Sequence, residues 1–152
     1  MDKNAHFEMF ENTPTCYMDV NLFYQKMVEE KKLEKVFFDG SMQNLQDFTN
    51  FVKDNTWFFF GFDRYSLVGG VWFTDFLENS CNIHICSFRG YDAVRFKKPI
   101  KDLLRFILDN KSFLCYKIKV STPYKGIARM YQEFGFEFKF FENGRYICEL
   151  NK

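Results

Sequence analysis

The sequence predicts an α+β domain in which helices flank a mixed, mostly antiparallel sheet. Aromatic and β-branched runs alternate with turn-prone breaks between residues 56 and 88, which is typical of an antiparallel meander. Further along the chain, a predicted strand–helix–strand unit interrupts the antiparallel pattern. Such a unit implies a mixed sheet with helices on its faces. The predicted order of elements is α-α-β-β-β-α-β-α-β-β.

Three helices are predicted up to Asn110. Asp19 is expected to cap the first helix, which runs to about Lys32 with apolar residues at three- and four-residue spacing. The second helix covers Asn44 to Asp54. The third covers about Asp92 to Asn110, and Pro99 either bends its axis or begins its regular part.

The predicted strands precede and follow the third helix. They cover Thr56 to Asp63, Leu67 to Asp75, Cys81 to Phe88 and Phe113 to Ser121. A last helix covers Tyr124 to Phe134, and Gly135 ends it because glycine tolerates the left-handed conformation of a C-terminal cap. The terminal hairpin pairs Phe136 to Phe141 with Arg145 to Leu150, since Asn143-Gly144 between two such runs is a strong hairpin signal.

Length and composition favour a single domain over residues 1–152, with an N-terminal helical part (1–55) and a core sheet with two helices (56–150). The chain has 152 residues, 47% of them apolar and 27% charged, which excludes wholesale disorder. Its 22 phenylalanines allow so short a chain to bury a substantial core. A net charge of +1 gives no general basis for binding a phosphate backbone, so no nucleic-acid partner is expected.

The sequence also bears on location and metal binding. No stretch approaches the roughly 18 apolar residues of a membrane span, and the N-terminus lacks the pattern of a secretory signal. The five cysteines are scattered, which favours reduced thiols in a cytoplasmic protein. With two widely separated histidines and no clustered thiols, we expect neither a metal site nor a membrane partner.

A short motif near the C-terminus carries a family resemblance. The segment Ala128 to Phe136 ends a predicted helix just before the last two strands. Its Tyr131, Glu133, Gly135 and Phe136 match the late signature of the GNAT superfamily of acyl-CoA-dependent N-acyltransferases, a helix ending in a pattern like Leu-Tyr-Glu-x-Leu-Gly-Phe. With the order of elements, residues 56–150 resemble that family, and most closely its degenerate viral and phage members. The resemblance implies a GNAT-like fold and acetyl-CoA as co-substrate.

The resemblance implies that acyl-CoA binds along the strand Cys81 to Phe88 and the loop after it. In that family, the pantetheine lies along the splayed strand, and the pyrophosphate binds backbone N–H groups at the helix N-terminus. The implied cofactor-binding residues are Ile85, Cys86, Ser87, Arg89, Gly90, Tyr91, Asp92, Ala93, Val94 and Lys97. The chain departs from the family's glycine pattern at Asp92 and Val94, although Gly90 and Ala93 offer small residues in a shifted register.

Charge is concentrated around this loop. Residues 89–105 contain six basic and two acidic side chains, a local excess of four positive charges. Such a cluster favours binding of the coenzyme's phosphates. The alternative is a solvated helix face.

The resemblance also implies catalytic residues. Tyr131 lies where many family members place the general acid, a phenol that protonates the departing thiolate; the alternative is one more buried aromatic. For the general base, His84 has a suitable reference pKa and Glu78 lies nearby, with Asp75 and Ser121 as further candidates. The alternatives are that His84 is a hydrogen-bonded residue of the sheet and that Glu78 is a solvated residue of a turn.

These observations predict an N-acyltransferase that moves an acetyl or short acyl group from coenzyme A to a primary amine by direct attack. The acceptor is a small molecule or a protein, and a homodimer is compatible with the sequence. The alternative is a catalytically inactive GNAT-fold protein with a viral structural or host-interaction role, because a fold does not determine function. Its location is expected to be the cytoplasm, or the host cytoplasm for a viral protein.

Overall fold

The computed structural model describes residues 4–37, 40–54, 57–110 and 115–152. Helices and strands alternate through these ranges in an order that matches the predicted class. The elements are β1 (His6–Met9), α1 (Pro14–Glu29), α2 (Leu33–Val36), α3 (Leu45–Asp54), β2 (Trp57–Asp63), β3 (Ser66–Leu77), β4 (Ser80–Ser87), α4 (Ala93–Asp109), β5 (Lys117–Thr122), α5 (Lys125–Glu133), β6 (Glu137–Glu142) and β7 (Arg145–Asn151). None of these helices is long and apolar enough to cross a membrane.

The strands form a mixed sheet, as predicted. Its order is β1-β2-β3-β4-β5-β7-β6. The β4–β5 pair is parallel, whereas β1–β2, β5–β7 and β6–β7 are antiparallel. The parallel pair follows from the α4 crossover, since a helix must return the chain before β5 can run beside β4 in the same direction. The α+β class with a mixed, mostly antiparallel sheet is therefore confirmed.

The chain divides into two compact units. The first comprises residues 1–72 and 85–95, and the second comprises residues 73–84 and 96–152. Strands β3 and β4 contribute residues to both units. The prediction of a single domain over residues 1–152 is not tested by this division and stays a prediction.

An aromatic core organises the first unit around Phe23 of α1. The ring centroid of Phe23 lies 4.7 Å from that of Phe88, 5.2 Å from that of Phe58 and 5.6 Å from that of Phe48. Phe58 in turn stacks on Trp72 at 5.1 Å. Aromatic pairs at these separations stabilise a fold by about 0.5–1.5 kcal/mol each beyond the area they bury.

The second unit packs helices against its strands. One face of α4 is apolar and contributes six buried side chains: Phe96, Ile100, Leu103, Leu104, Ile107 and Leu108. The β5–β7 ladder extends from Lys117 paired with Asn151 to Thr122 paired with Tyr146. Helix α5 ends as predicted, because Gly135 has φ +102° and its N–H donates to the Gln132 carbonyl at 3.0 Å.

The terminal hairpin is also confirmed. Strands β6 and β7 are joined by Asn143 and Gly144, which have φ 54° and 75°. Two successive positive φ values define the tight turn that matches the twist of a hairpin.

The structure decides two local predictions, the cap of α1 and the role of Pro99, and adds two short elements. Helix α1 begins at Pro14 and is capped by Thr13, whose Oγ1 accepts from the Cys16 N–H at 3.3 Å; Asp19 lies inside the helix. Strand β1 was not predicted, because four residues carry too little pattern. Helix α4 begins at Ala93 and continues through Pro99, so its regular part does not begin at the proline. The four-residue α2 was likewise not predicted.

Two strands are predicted to begin at Thr56 and at Phe113, and both of these residues lie outside the described residues.

We predict that Gly69→Ala destabilises the protein. An added Cβ would lie 2.6 Å from the Cys86 carbonyl oxygen, a backbone atom of β4 that cannot rotate away. We expect the free energy of unfolding, measured by urea denaturation, to fall by about 1–3 kcal/mol or more.

Gly126→Ala is the matched control for this substitution. Gly126 lies in α5 and has no atom within 4 Å of its added Cβ, so alanine should stabilise the helix by about 0.5–1 kcal/mol. Equal effects of the two substitutions would contradict the close approach of β3 to β4.

Candidate active site

Strands β4 and β5 of the second unit pair over only a short parallel ladder. The paired residues are Ser80–Asn82 of β4 and Lys117–Lys119 of β5. Beyond Asn82 and Lys119 the ladder ends, although β4 continues through His84 and β5 continues to Thr122. Beyond these residues the two strands do not pair with each other in the described part of the chain. The splay that the resemblance implies at this place stays a prediction.

A hydrogen-bonded cluster of four polar side chains adjoins the end of this ladder. His84 Nε2 and Thr74 Oγ1 lie 2.9 Å apart. Thr74 Oγ1 donates to Asp75 Oδ2 at 3.3 Å, and Asn82 Nδ2 donates to the same oxygen at 2.9 Å. Because Asn82 and His84 are two residues apart on one strand, their side chains lie on the same face of the sheet.

The surroundings of His84 set its protonation state. Burial lowers the pKa of the His84 imidazole below its usual value of 6.5; the charge of Asp75 opposes this effect and that of Arg145 adds to it. A lowered pKa keeps the imidazole neutral at pH 7, which is the state that a general base requires.

Arg145 joins β7 to β5 within the same unit. Its Nε donates to Ser121 Oγ at 2.6 Å, and its Nη2 donates to the Ser121 carbonyl oxygen at 2.8 Å. Ser121 was a candidate from the sequence, whereas Arg145, Thr74 and Asn82 were not. The alternation of side chains along β4 places Asn82 on the same face as His84, so the sequence could have indicated it as a site residue. No signal in the sequence indicates that Arg145 lies next to Ser121.

Tyr131, the predicted general acid, lies on the buried face of α5. Only 2% of the residue is exposed, and its ring packs against Phe134 and Phe136 at centroid distances of 6.4 and 5.1 Å. The structure therefore places Tyr131 in an aromatic cluster, which was the alternative interpretation. Its role as a general acid stays a prediction.

Glu78, the other predicted base, lies in the turn between β3 and β4. It is exposed and has φ 49°, the left-handed conformation that a tight turn requires. Among the described residues its side chain makes no recorded hydrogen bond or ion pair, so no described contact joins it to His84. His84 is therefore the stronger candidate for the base.

The loop between β4 and α4, in the first unit, carries most of the predicted cofactor-binding residues. Gly90 has φ +96°, and the Tyr91 N–H donates to the Phe88 carbonyl at 3.0 Å. Asp92 caps α4: its Oδ1 accepts from the Val94 N–H at 3.0 Å and from the Arg95 N–H at 3.3 Å. The helix N-terminus is thus bound to a carboxylate of the chain itself.

Glu30, just after α1, binds the same loop. Both of its carboxylate oxygens accept from the Arg89 N–H at 3.0 Å. The expectation that the amides of residues 89–94 are left for a diphosphate is therefore wrong for Arg89, Tyr91 and Val94. Among the described residues, no protein acceptor is recorded for the N–H groups of Gly90, Asp92 and Ala93. Two carboxylates of the chain, one from Asp92 in the loop and one from Glu30 after α1, therefore accept hydrogen bonds from amides of this segment.

The remaining predicted cofactor-binding residues have different surroundings. Ile85 is half-buried in β4. Cys86 lies in the aromatic core of the first unit, where burial raises the pKa of its thiol to about 12. The Ser87 carbonyl accepts a hydrogen bond from Lys32 Nζ, and Lys97 is exposed on α4. Cys86 is therefore a buried core residue, and the Ser87 carbonyl already has a partner within the chain.

Comparison with known proteins identifies the fold. No protein-family model and no curated protein matches the chain. A GNAT-family acetyltransferase from Bacillus anthracis superposes with a TM-score of 0.72 at 14% identity, covering 99% of this chain and 96% of that one. Spermidine N-acetyltransferase from Vibrio cholerae, a dodecamer, gives a TM-score of 0.71 at 15% identity, with coverage of 99% and 95%.

A third solved structure contains the co-substrate. Campylobacter jejuni N-acetyltransferase PseH in complex with acetyl coenzyme A gives a TM-score of 0.66 at 13% identity, covering 97% of this chain and 99% of that one. The chain therefore has the fold of the GNAT N-acetyltransferases over nearly its whole length. At these identities the similarity establishes the fold.

We predict that His84 makes stability depend on pH. Its folded pKa is lowered, so the unfolded state takes up a proton near pH 6.5 where the folded state does not. The resulting stability is present above pH 6.5 and is lost as the pH falls through the folded pKa. The free energy of unfolding, measured with urea between pH 8 and pH 5, should fall less in His84→Gln than in the wild type.

His6→Gln is the control, because it removes the other histidine of the chain and keeps His84. An unchanged pH dependence in His84→Gln would show that the imidazole is not shielded from protonation.

Proposed function

We propose that the chain is an N-acyltransferase that moves an acetyl or short acyl group from coenzyme A to a primary amine. The observation that carries the proposal is the end of the β4–β5 ladder beside the His84 cluster. Solved neighbours named as acetyltransferases share this fold. The end of the ladder, with a neutral, hydrogen-bonded imidazole beside it, suits an amine that must lose a proton as it attacks.

His84 and Tyr131, both in the second unit, have complementary roles in this proposal. Acetyl-CoA supplies the activated thioester carbonyl. As the amine nitrogen bonds to that carbon, His84 accepts the amine proton, and Thr74 holds the imidazole through its hydrogen bond. When the carbon–sulfur bond breaks, Tyr131 donates its phenolic proton to the thiolate. No covalent intermediate with the protein is needed.

The loop after β4 is proposed to bind the phosphates of the donor. The hydrogen bonds from the Arg89 and Val94 amides to carboxylates support this proposal, because a phosphate would use the same N–H donors. A diphosphate would replace the Glu30 carboxylate on Arg89 and would meet the Gly90 and Ala93 amides, for which no protein acceptor is recorded. The donor set thus fits the group, with Glu30 as a competitor.

The acceptor is left at the level of a primary amine. One neighbour, from Vibrio cholerae, is solved in complex with CoA and spermine, and that protein is named for spermidine. A polyamine and a lysine-containing peptide therefore form the first test panel for this chain. A cytoplasmic location and a homodimer also stay proposals.

We predict that saturating acetyl-CoA stabilises the fold. A ligand at one hundred times its dissociation constant adds about 2.7 kcal/mol, which for a chain of this length raises the melting temperature by roughly 5–10 °C. His84→Gln and Tyr131→Phe should keep most of this shift and lower turnover of the amine panel by about 100-fold.

Turnover is measured by mass spectrometry of the acylated amine. Turnover equal to wild type in Tyr131→Phe would remove the phenol from the mechanism. A flat melting curve at millimolar acetyl-CoA would contradict the transferase proposal itself.

We also predict that Glu30→Gln tightens acetyl-CoA binding. The substitution removes a negative charge that competes for the Arg89 N–H, so the dissociation constant should fall about tenfold, or ~1.4 kcal/mol. Calorimetric titration measures this change. Glu29→Gln, at the last residue of α1, is the control, because the described contact of the Glu29 carboxylate is with Gln25 on the same helix.

A second candidate function follows from the same loop. Because Glu30 and Asp92 occupy its amides, the structure also suits a GNAT-fold protein without catalysis, acting in a structural or host-interaction role. Strand β6 has every residue exposed, including Phe138, Phe140 and Phe141, which favours such a role. Absence of acetyl-CoA binding in both the wild type and Glu30→Gln would favour this candidate.

A further inference from the structure

We propose that Cys81 and Cys115 form a redox-sensitive pair of thiols, which hydrogen peroxide converts into a disulfide within the chain. Both residues belong to the second unit: Cys81 is the second residue of β4, and Cys115 lies two residues before β5. Both are free thiols, and their sulfur atoms are 3.3 Å apart. The proposal does not depend on acyl transfer, because neither cysteine has a role in the proposed reaction.

Backbone hydrogen bonds fix the chain on both sides of this sulfur pair. Cys81 belongs to the parallel ladder between β4 and β5. The neighbour of Cys115 is Tyr116, whose two backbone polar groups are both bound. Its N–H donates to the Asn79 carbonyl oxygen at 2.6 Å, and its carbonyl oxygen accepts from the Lys152 N–H at 2.9 Å. The fold itself therefore places the two cysteines side by side.

The separation of the sulfurs is close to bonding distance. A disulfide bond is about 2.05 Å long, so the sulfurs must approach each other by roughly 1.2 Å. Buried cysteines usually act as small apolar side chains, and Cys86 and Cys148 are buried in this way. Among the described residues, no second sulfur lies within hydrogen-bond distance of either. Cys81 and Cys115 differ from them because folding brings two thiols together across 34 positions of sequence.

The hydrogen bonds around the pair indicate which thiol reacts first. Cys115 Sγ donates to the Lys117 carbonyl oxygen at 3.3 Å, which leaves its lone pairs to accept from the Cys81 S–H. The hydrogen bond between the thiols lowers the pKa of Cys115 and raises that of Cys81, because the Cys81 S–H stabilises a thiolate on Cys115. The thiolate is the nucleophile, so Cys115 attacks the oxidant and Cys81 resolves the product.

The oxidation takes two steps. The Cys115 thiolate attacks one oxygen of hydrogen peroxide, the O–O bond breaks, hydroxide leaves, and the sulfur becomes a sulfenic acid. The Cys81 thiol then gives its proton to hydroxide and attacks the Cys115 sulfur. The S–S bond forms as the S–O bond breaks and the second oxygen leaves. Together the two thiols lose two electrons and two protons, and the peroxide becomes two molecules of water.

Burial determines which oxidant reaches the pair. Cys81 is 0% exposed and Cys115 is 3% exposed. Hydrogen peroxide is uncharged and little larger than water, whereas glutathione disulfide is a charged peptide whose own sulfur must come into line with the attacking thiolate. We therefore expect peroxide to oxidise the pair much faster than glutathione disulfide does.

Mass spectrometry of the full chain treated with hydrogen peroxide tests the proposal. A non-reduced proteolytic digest should contain a peptide that links Cys81 to Cys115, lighter than the two reduced peptides by two hydrogen atoms. Dithiothreitol should separate the two peptides again. Cys16→Ser is the matched control, because it removes the one cysteine that is not buried and should leave the link intact.

Single substitutions test the order of the two thiols. In Cys81→Ser, the oxidation should stop at a sulfenic acid on Cys115, which dimedone traps. In Cys115→Ser, dimedone labelling at Cys81 should be lower by about tenfold or more, because the thiolate is missing. Melting temperatures in reducing buffer show whether each variant has kept its fold. Equal labelling of the two folded variants would contradict the order.

The oxidised wild type should also be more stable than the reduced one. The bond closes a loop that contains α4 and so restricts the unfolded chain, which should raise the melting temperature by about 5–10 °C. A fall in melting temperature on oxidation would show that the native positions of the sulfurs do not suit the bond.

Absence of the Cys81–Cys115 peptide after peroxide treatment of the wild type would overturn the proposal. So would equal yields of links that involve Cys86 or Cys148, because the fold would then not select the pair. Equally fast oxidation by glutathione disulfide would overturn the assignment of the oxidant. None of these measurements uses amine acylation, so a failure here leaves the transferase proposal testable by turnover.

Discussion

The packing of Phe23 against β3 is the constraint on which the first unit depends. A Cβ on Gly70 would lie 2.6 Å from the Phe23 ring, so only a glycine lets α1 approach the strand this closely. Phe23 then contacts the rings of Phe58 and Phe88. Because Phe23, Lys26 and Glu30 follow one another along α1 and its end, this contact also positions the charges that meet the loop after β4. The position of Glu30 at the loop thus depends on aromatic packing about two helical turns earlier in the chain.

The loop after β4 donates hydrogen bonds to carboxylates of the chain itself. Its amides bind the carboxylates of Glu30 and Asp92, where the GNAT resemblance implies a diphosphate. A carboxylate and a phosphate compete for the same N–H groups and also repel each other. An active transferase must therefore displace or tolerate Glu30, whereas an inactive relative would retain it as part of the fold. The charge of Glu30 is the point at which the two candidate functions diverge.

Sequence patterns located most elements and two members of the His84 cluster, His84 and Asp75. The hairpin at Asn143-Gly144 and the cap at Gly135 followed from turn chemistry, which acts over a few residues. The cap of α1 was misplaced because Asp19 also suits an N-cap; the helix instead uses the local signal of Thr13 followed by Pro14 at the first helical position. At the site, His84 was identified by residue type. Its partners Thr74 and Arg145 were not, since each is separated from it by ten or more positions in sequence.

What the sequence determined by itself is the class of fold and its local signals: aromatic strands, amphipathic helices and the Gly-Phe ending of α5. Those depend on periodicity and on backbone preferences that span a few residues. Only the tertiary structure decided which charges meet. Glu30 lies 59 positions from Arg89, yet folding brings the two residues together. Electrostatic interactions depend on distance in space, and a linear pattern does not contain that distance.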